Sequence, residues 1–241
     1  MDTDFCEGFK LAKLLVKALL PAVHQNYFDP AGDSCFCESC HAARGDEPAY
    51  TRGGRPYLIP VGWHRIGLAV IKGFVEEHKV FDSWENSFHG TNLFSAKKII
   101  SNKLTLLVAG DVALGGVELG VVDGHIQEPF ERTNKYTGKK ELFNPNQIFS
   151  SPSILYSGDP EFSKAFTPTE ATGVPDKDRL QVQLAFQLRQ RPGSYSIGQE
   201  TILKDGDDRR IDPLISNDEL EYYTRERGGH IIHGLLVKIS K

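Results

Sequence analysis

Three residues that can hold a polar ligand stand together at His89-Gly90-Thr91, after a stretch typical of a β-strand. The imidazole and the hydroxyl can each donate and accept hydrogen bonds, and a glycine lets a flat ligand approach the backbone N–H and C=O groups. We therefore predict a strand end that breaks into a tight turn and clamps a planar ligand, followed by a helix over 92–102. A structural histidine before an ordinary turn is the alternative.

A second stretch combines an aromatic residue with several hydroxyl groups. Phe149 ends a predicted strand, and Ser150, Ser151 and Ser153 follow it. Tyr156 comes about one helical turn after Ser153. A tyrosine ring and a hydroxyl at that spacing can sandwich a planar ring and hydrogen-bond its amide. A strand–turn–helix junction with a core tyrosine is the alternative interpretation.

The third stretch carries two glutamates, Glu219 and Glu221, two positions apart. On a strand, this spacing puts both carboxylates on one face. Two close negative charges are unfavourable unless something cationic binds between them. The pair is therefore either exposed to solvent or part of a functional site.

Three thiols and an imidazole lie within seven positions, at Cys35, Cys37, Cys40 and His41. Zinc prefers tetrahedral sulfur and nitrogen ligation, so this grouping predicts a closed zinc site that stabilises the fold and does not catalyse. His41 follows Cys40 directly, which makes simultaneous binding awkward. The fourth position therefore has three alternatives, Cys6, His24 and His64. Free thiols in a loop would be the other interpretation.

The remaining periodicity predicts an N-terminal helix, a glycine hairpin and a series of strands. The helix spans 5–24, the hairpin turns at Gly115-Gly116, and the strands cover 63–72, 84–89, 104–107, 180–188 and 230–239. The polar run from His125 to Lys140 predicts a long loop of the kind that borders a site.

Composition narrows the class of protein. The 241 residues suffice for one large domain, or one domain with a small accessory module. A net charge of −4 gives no electrostatic case for duplex DNA or an anionic membrane as a partner. The acidic start is unlike a signal peptide, and the four cysteines are grouped as in metal sites of reducing compartments. We expect an intracellular location, in the cytoplasm or nucleus, without membrane binding.

The His-Gly-Thr strand end, the Phe-Ser-Ser-Pro-Ser…Tyr element and the late Glu-x-Glu pair, in this order, resemble the ADP-ribosyltransferase superfamily. That superfamily includes the poly(ADP-ribose) polymerases and the diphtheria-toxin-like enzymes. The Cys-x-Cys-x-x-Cys-His and Asn-Asp-Glu-Leu-Glu-Tyr-Tyr-Thr motifs look more closely like the C-terminal region of neuralized-like proteins. This closer resemblance covers most of the chain from about Tyr27 onward.

The resemblance implies an α+β fold: a split β-sheet with flanking helices that binds NAD+ in a cleft, plus an N-terminal helix and a small zinc-binding segment. It divides the chain into a zinc-binding segment over 1–60 and a catalytic domain over 61–241. It assigns NAD+ binding to His89, Gly90, Thr91, Phe149, Ser151, Ser153 and Tyr156.

Individual roles also follow from the resemblance. The Gly90 backbone would hold the nicotinamide carboxamide, and His89 would hydrogen-bond the adenosine ribose and so belong to the catalytic set. Tyr156 would stack on the nicotinamide ring, with Ser153 or Ser151 touching its amide.

The two acids would divide the chemistry. Glu221 would be the catalytic carboxylate, and Glu219 would position or deprotonate the acceptor. In this sequence Phe149 stands where the polymerases carry tyrosine, and His89 stands where other Glu-x-Glu transferases carry arginine.

The function expected from these features is NAD+-dependent mono-ADP-ribosyl transfer to a macromolecular acceptor, a protein or a nucleic acid. One alternative is NAD+ glycohydrolysis, with water as the acceptor. A second is a tRNA 2′-phosphotransferase, which shares the His-Gly-Thr strand. The non-enzymatic alternative is a zinc-stabilised interaction module of the same fold.

Overall fold

A computed structural model describes residues 6–120, 128–204 and 206–241. These residues form six α-helices, which are α1 (Glu7–Leu19), α2 (Glu38–Arg44), α3 (Lys72–Glu77), α4 (Val80–Ser83), α5 (Leu93–Ser101) and α6 (Ile154–Ser157). The strands are β1 (Ser34–Cys35), β2 (Ala49–Arg52), β3 (Arg55–Leu58), β4 (Trp63–Gly67), β5 (Glu85–Thr91), β6 (Phe130–Thr133), β7 (Lys140–Phe143), β8 (Ile148–Ser150), β9 (Gln181–Gln190), β10 (Ser196–Gly198), β11 (Glu221–Thr224) and β12 (His230–Ser240). The fold is a mixed α+β arrangement.

Two antiparallel sheets organise the described residues. The larger sheet has five strands in the order β1-β4-β12-β9-β5, and the smaller has three in the order β10-β11-β8. A bridge between Phe88 on the edge strand β5 and Ser151, just after β8, joins them. The hairpins β2–β3 and β6–β7 pair separately.

The five-stranded sheet buries a different cluster on each face, because side chains alternate along a strand. On β9, Leu184, Phe186 and Leu188 belong to the main core, which also contains the buried faces of α1 and α5. Ala185 faces the other way and packs with Phe88 in a smaller cluster. The long alternating strand predicted at 180–188 is thereby confirmed.

Helix α1 forms because its apolar residues recur on one face, and the predicted helix is confirmed with tighter ends. Phe9 and Leu15 are fully buried in the same core as Ile66 of β4 and Leu235 of β12. Strand β1 also pairs with β4. The division predicted at residue 60 therefore separates two sequence segments that share one hydrophobic core.

The predicted His-Gly-Thr strand end is confirmed as a strand, but the tight turn after it is wrong. Strand β5 continues through Thr91, and α5 begins at once because the Asn92 side chain accepts a hydrogen bond from the Ser95 N–H at 2.9 Å. An asparagine N-cap satisfies an otherwise unpaired amide of the first turn. The predicted helix over 92–102 is confirmed.

Several other predictions need correction. The strand predicted over 63–72 ends at Gly67, and residues 104–107 form no strand. The loop predicted from His125 to Lys140 contains β6, while His125 lies outside the described residues. The hairpin turn at Gly115-Gly116 is confirmed, since the Ala113 N–H donates to the Val117 carbonyl at 2.8 Å. No helix among the described residues is long and apolar enough to cross a membrane.

The edge strand β5 requires a glycine at position 90. A Cβ there would lie 2.2 Å from the Ser157 carbonyl oxygen and 2.7 Å from the Phe162 Cβ. We expect Gly90→Ala to lower the free energy of unfolding by about 1–3 kcal/mol, because the backbone must move to admit the methyl group. Urea unfolding followed by circular dichroism measures this change.

Gly73→Ala is the matched control, since it lies in helix α3 and a Cβ there meets nothing within 4 Å. Alanine is a better helix former than glycine, so this variant should be as stable as the original protein or more so. Equal stability of Gly90→Ala and the original protein would contradict the close packing.

Candidate functional site

The three stretches singled out in the sequence meet at one cavity. A cavity of about 580 Å³ lies where the smaller sheet adjoins the edge of β5. His89, Tyr156 and Glu221 all line it, together with Gly90 and Phe149. Residues separated by more than 130 positions in sequence therefore share one concave surface of a size typical for a small-molecule site.

His89 presents one nitrogen to the protein. Its Nδ1 lies 2.7 Å from the Phe149 carbonyl oxygen. A carbonyl only accepts, so Nδ1 carries the proton and donates. Burial lowers the pKa of His89, which favours the neutral ring. The lone pair of Nε2 is then available to accept a hydrogen bond from a ligand hydroxyl.

Gly90 offers backbone groups to the cavity. The Phe88 N–H and C=O bond to Ser151, on the side away from β9, at 2.7 and 2.8 Å. Backbone groups alternate along a strand, so the N–H and C=O of Gly90 face that same side. Neither has a hydrogen-bond partner there among the described residues. An adjacent donor and acceptor of this kind suit a ligand amide.

Tyr156 is held rigidly in the wall of the cavity. Its hydroxyl accepts from the Thr201 N–H at 3.0 Å and lies 2.9 Å from the Thr201 Oγ1. Its ring lies 4.9 Å from the ring of Phe162, centroid to centroid. Burial, followed by the negative charge of Glu221, raises the pKa of Tyr156, so the phenol stays protonated.

Glu221 begins β11 and is 6% exposed. Its Oε1 lies 3.4 Å from the Tyr156 hydroxyl, and its Oε2 lies 3.5 Å from Nη1 of Arg132. Burial raises the pKa of Glu221 to about 7, although the charge of Arg132 opposes this shift. The carboxyl group therefore changes its ionisation close to neutral pH, as acid–base and electrostatic groups of enzymes often do.

Arg132 on β6 is a charged cavity residue that the sequence analysis missed. Its Nε donates to Glu141 at 2.6 Å, its guanidinium lies 3.5 Å from the centre of the Phe143 ring, and its buried Nη2 has no hydrogen-bond partner. A Cβ at Gly198 would lie 2.7 Å from that nitrogen. The turn-forming residues Asn134 and Gly138 were the available signal for a hairpin at this position.

The buried carboxylate of Glu200 holds in place the segment that contains the cavity residues Gln199 and Thr201. Glu200 is 1% exposed and accepts from Lys135 at 2.5 Å and from the Tyr136 hydroxyl at 2.6 Å. The N–H groups of Ile202 and Leu203 donate to its second oxygen. Burial opposes ionisation, but these donors outweigh it and lower the pKa of Glu200. Both sequence neighbours of Glu200 line the cavity.

The structure does not bring every predicted binding residue to the cavity. Ser151 and Ser153 are fully buried, and Ser153 instead caps α6 by accepting from the Leu155 and Tyr156 N–H groups. The serines that line the cavity are Ser150 and Ser157. Ser151 and Ser153, which the motif predicted as binding residues, therefore belong to the junction between β8 and α6.

Two further predicted site residues, Thr91 and Glu219, do not line the cavity. Thr91 is buried, and its hydroxyl donates to the Asn92 carbonyl at 3.3 Å. Glu219 ends a 3-10 turn, Asn217–Glu219, and is exposed. The prediction that Glu219 and Glu221 share one strand face is wrong, because β11 begins only at Glu221.

A second cavity adjoins the first. It measures about 540 Å³ and is lined by residues of α5, by parts of the 105–119 segment and by Gln147 and Ile148. His89 and Phe149 line both cavities. The two cavities therefore lie next to the same imidazole and the same phenyl ring.

The four cysteines form a separate group. The sulfur atoms of Cys6, Cys35, Cys37 and Cys40 all lie within 4.8 Å of one another, and all four thiols are free. Cys35 lies 3.6 Å from Cys6 and 3.3 Å from Cys37. Tetrahedral zinc with four thiolates places sulfur atoms about 3.8 Å apart. The group can therefore hold a metal ion such as zinc.

One of the four predicted metal ligands, His41, is wrong, and Cys6 takes its place in the cysteine group. His41 lies outside it, with its Nδ1 3.6 Å from a carboxylate oxygen of Asp46. Cys6, an alternative for the fourth position, belongs to the group because it precedes α1 and this helix lies against β4. His64 contacts Cys35 at 3.2 Å, and His24 caps a 3-10 turn elsewhere.

No family model matches the chain, and no solved structure matches it.

We expect the purified protein to contain one tightly bound metal ion. Cys6→Ser should lose most of this metal, because three thiolates bind more weakly than four. His41→Ala is the matched control and should keep it. Elemental analysis after dialysis measures the metal per chain. Metal loss from His41→Ala with retention in Cys6→Ser would contradict the assignment.

Proposed function

We propose that this protein is an NAD+-dependent mono-ADP-ribosyltransferase, which cleaves the nicotinamide–ribose bond of NAD+ and transfers ADP-ribose to a macromolecular acceptor. The observation that carries the proposal is the convergence of His89, Tyr156 and Glu221 on one cavity. This convergence is what the resemblance to ADP-ribosyltransferases requires. The pair of antiparallel sheets joined at one edge is consistent with the split sheet expected from the same resemblance.

The nicotinamide half of NAD+ would occupy the cavity around Tyr156. Its carboxamide would hydrogen-bond the N–H and C=O of Gly90, which face away from β9. The rings of Tyr156 and Phe162, which contact each other, would together form one wall against the nicotinamide. Aromatic walls and a few fixed polar groups are typical of sites that bind flat ligands.

The adenosine half would extend into the adjoining cavity. His89 lies between the two spaces, so its Nε2 lone pair would accept from a ribose hydroxyl. Phe149 lines both cavities and would contact the middle of the dinucleotide. A phenylalanine at this position supplies apolar contact without a hydroxyl.

Glu221 would act on the ribose next to nicotinamide. When the C–N bond breaks, its electron pair leaves with nicotinamide and the ribose carbon becomes positively charged. A fixed carboxylate stabilises that charge as it develops. Contact with the 2′-hydroxyl would also orient the ribose. Arg132 would keep the carboxylate ionised, because its positive charge opposes the upward pKa shift caused by burial.

The exposed position of Glu219 favours NAD+ glycohydrolysis as a second candidate. Glu219 is exposed and does not line the cavity, so this arrangement places no second carboxylate of the pair beside the ribose to deprotonate an acceptor. Water would then take the acceptor's place. Incubation with labelled NAD+ distinguishes the two: label on a macromolecule supports the transferase, and free ADP-ribose alone supports the glycohydrolase. Neither product would support an interaction module without turnover.

The carboxylate of Glu221 should be essential for bond cleavage. We expect Glu221→Gln to lower nicotinamide release by about 10²–10³-fold, a loss typical of removing one group that stabilises transition-state charge. The amide has nearly the same shape, so the fold should survive. Chromatographic detection of nicotinamide measures turnover, and circular dichroism verifies folding.

Glu161→Gln is the matched control for this variant. Glu161 is exposed and does not line the cavity, so nicotinamide release should be unchanged. If Glu221→Gln kept full activity, the assignment of the catalytic carboxylate would be wrong.

The pKa of Glu221 also predicts the pH dependence of turnover. The ionised form is the active one, and its pKa lies at about 7, so kcat/KM should rise about tenfold per pH unit below pH 7 and level off above it. Burial lowers the pKa of His89, which favours the neutral ring. Initial rates in buffers from pH 5.5 to 8.5 measure the profile. A rate that falls with rising pH across this range would contradict the role of the carboxylate.

A further inference from the structure

A separate polar cavity lies on the face of the five-stranded sheet opposite α1. It measures about 340 Å³ and shares no lining residue with the cavity around Glu221. Its lining includes Arg44, Arg52, Arg65, Arg189, Tyr57 and Gln187. We call it the arginine cavity.

Arg65 is built into the floor of the arginine cavity. It lies on β4, and a Cβ at Gly234 of the neighbouring strand would meet its Cδ at 2.5 Å. The glycine thus leaves room for the arginine stem to cross the sheet. The Arg65 Nε donates to the Gly32 carbonyl at 2.8 Å, and its Nη1 donates to Gln187 at 3.0 Å.

The amide of Gln187 is fixed in turn. Its Nε2 donates to the Asn86 Oδ1 at 2.7 Å, which leaves its oxygen to accept from Arg65. Gln187 is 2% exposed, so this chain of hydrogen bonds is preorganised inside the protein.

Arg189 is the most buried arginine of the cavity lining, at 8% exposure. Its Nη1 donates to the Trp84 carbonyl at 3.3 Å, while its buried Nε has no hydrogen-bond partner. Burial, aided by the nearby charges of Arg52 and Arg65, lowers the pKa of Arg189 to about 10, so it is charged at neutral pH. An unpaired donor on a buried charged group is unfavourable unless a ligand satisfies it.

The cavity has an excess of positive charge. Four arginines and one aspartate line it, and this aspartate, Asp46, already accepts from Arg44 at 2.6 Å. Within the described ranges, no carboxylate oxygen lies within 4.0 Å of a guanidinium nitrogen of Arg65 or Arg189. The chain as a whole has a net charge of −4, so this local excess is not a property of the entire surface.

We propose that the arginine cavity binds the phosphate group of a small phosphate monoester. A phosphate dianion offers several acceptor oxygens to converging guanidinium groups, which bind it with paired hydrogen bonds. A singly charged carboxylate would leave more of the positive charge uncompensated. The rings of Tyr50 and Tyr57 also line the cavity and would contact the organic part of the ester. This site is independent of the NAD+ proposal, because the two linings share no residue.

Isothermal titration at constant ionic strength tests the proposal with three probes. The probes are inorganic phosphate, phenyl phosphate and benzoate, which together separate the phosphate group from the aromatic ring. We expect saturable binding of both phosphates, tighter binding of phenyl phosphate, and much weaker binding of benzoate. No saturable binding of either phosphate, or benzoate binding as tight as that of phenyl phosphate, would overturn the proposal. Equal affinity for the two phosphates would overturn the proposed contact between the organic part of the ester and the rings of Tyr50 and Tyr57.

Variants locate the binding. Arg189→Met keeps an unbranched side chain of similar reach without charge, and Arg52→Ala removes a half-buried arginine of the same lining. Each should weaken phenyl phosphate binding about tenfold or more, as expected for loss of one hydrogen bond to a charged group. Arg210→Ala removes an exposed arginine outside the lining and should bind normally. If Arg189→Met fails to fold, Arg52→Ala decides the question. Unchanged affinity in a folded Arg52→Ala would contradict binding in this cavity.

Discussion

Two hydrogen bonds between the edge of the larger sheet and the smaller sheet determine the geometry of the candidate site. Phe88 and Ser151 exchange their N–H and C=O groups at 2.7 and 2.8 Å. This contact places the residues that follow Phe88 beside the residues around Ser151. Because β11 pairs with β8, the same contact also positions Glu221. The site therefore depends on where two sheets meet, more than on any single motif.

The carboxylate of Glu221, which is buried where the two sheets meet, lowers the stability of the fold when it is ionised. Glu221 is buried and its pKa is raised to about 7, so the folded state binds a proton more tightly than the unfolded chain does. The resulting stabilisation is fully present below the ordinary glutamate pKa and is lost as the pH rises through about 7. At neutral pH the buried carboxylate of Glu221 therefore lowers the stability of the fold. An apolar residue at the same position would not have this effect. Such an arrangement is typical of functional sites.

The cysteine group lies at the opposite edge of the larger sheet. Its four thiols come from the residue before α1, from β1, and from the start of α2, so a metal bound there would tie three elements together. Cys35 lies on β1, the edge strand opposite β5. A metal ion held by this group would lie at this edge, away from the cavity that contains Glu221.

The sequence predicted those parts of the fold that depend on local periodicity. Helix α1, strand β9 and the helix capped by Asn92 follow from apolar spacing. The roles of Ser153 and Glu219 could not be predicted, because that of Ser153 depends on where α6 begins and that of Glu219 on where β11 begins. A one-residue change there moves a side chain from the cavity to solvent.

The long-range contacts were harder still. Arg132 reaches Glu221 only because the β6–β7 hairpin lies against the smaller sheet, and Cys6 reaches Cys37 only because α1 lies against β4. No local pattern encodes such contacts. The resemblance carried by the three motifs nevertheless implied that positions 89, 156 and 221 share one cleft, and all three residues line one cavity.

The central claim is that these three positions form an NAD+ site. Hydrogen–deuterium exchange of the Glu221→Gln variant with and without NAD+ tests it most directly, because this variant should bind the dinucleotide without consuming it. The account predicts slower exchange with NAD+ in peptides covering 88–91, 149–157 and 221–224, and unchanged exchange in peptides covering 44–52. Protection confined to other segments, or none at saturating NAD+, would contradict it.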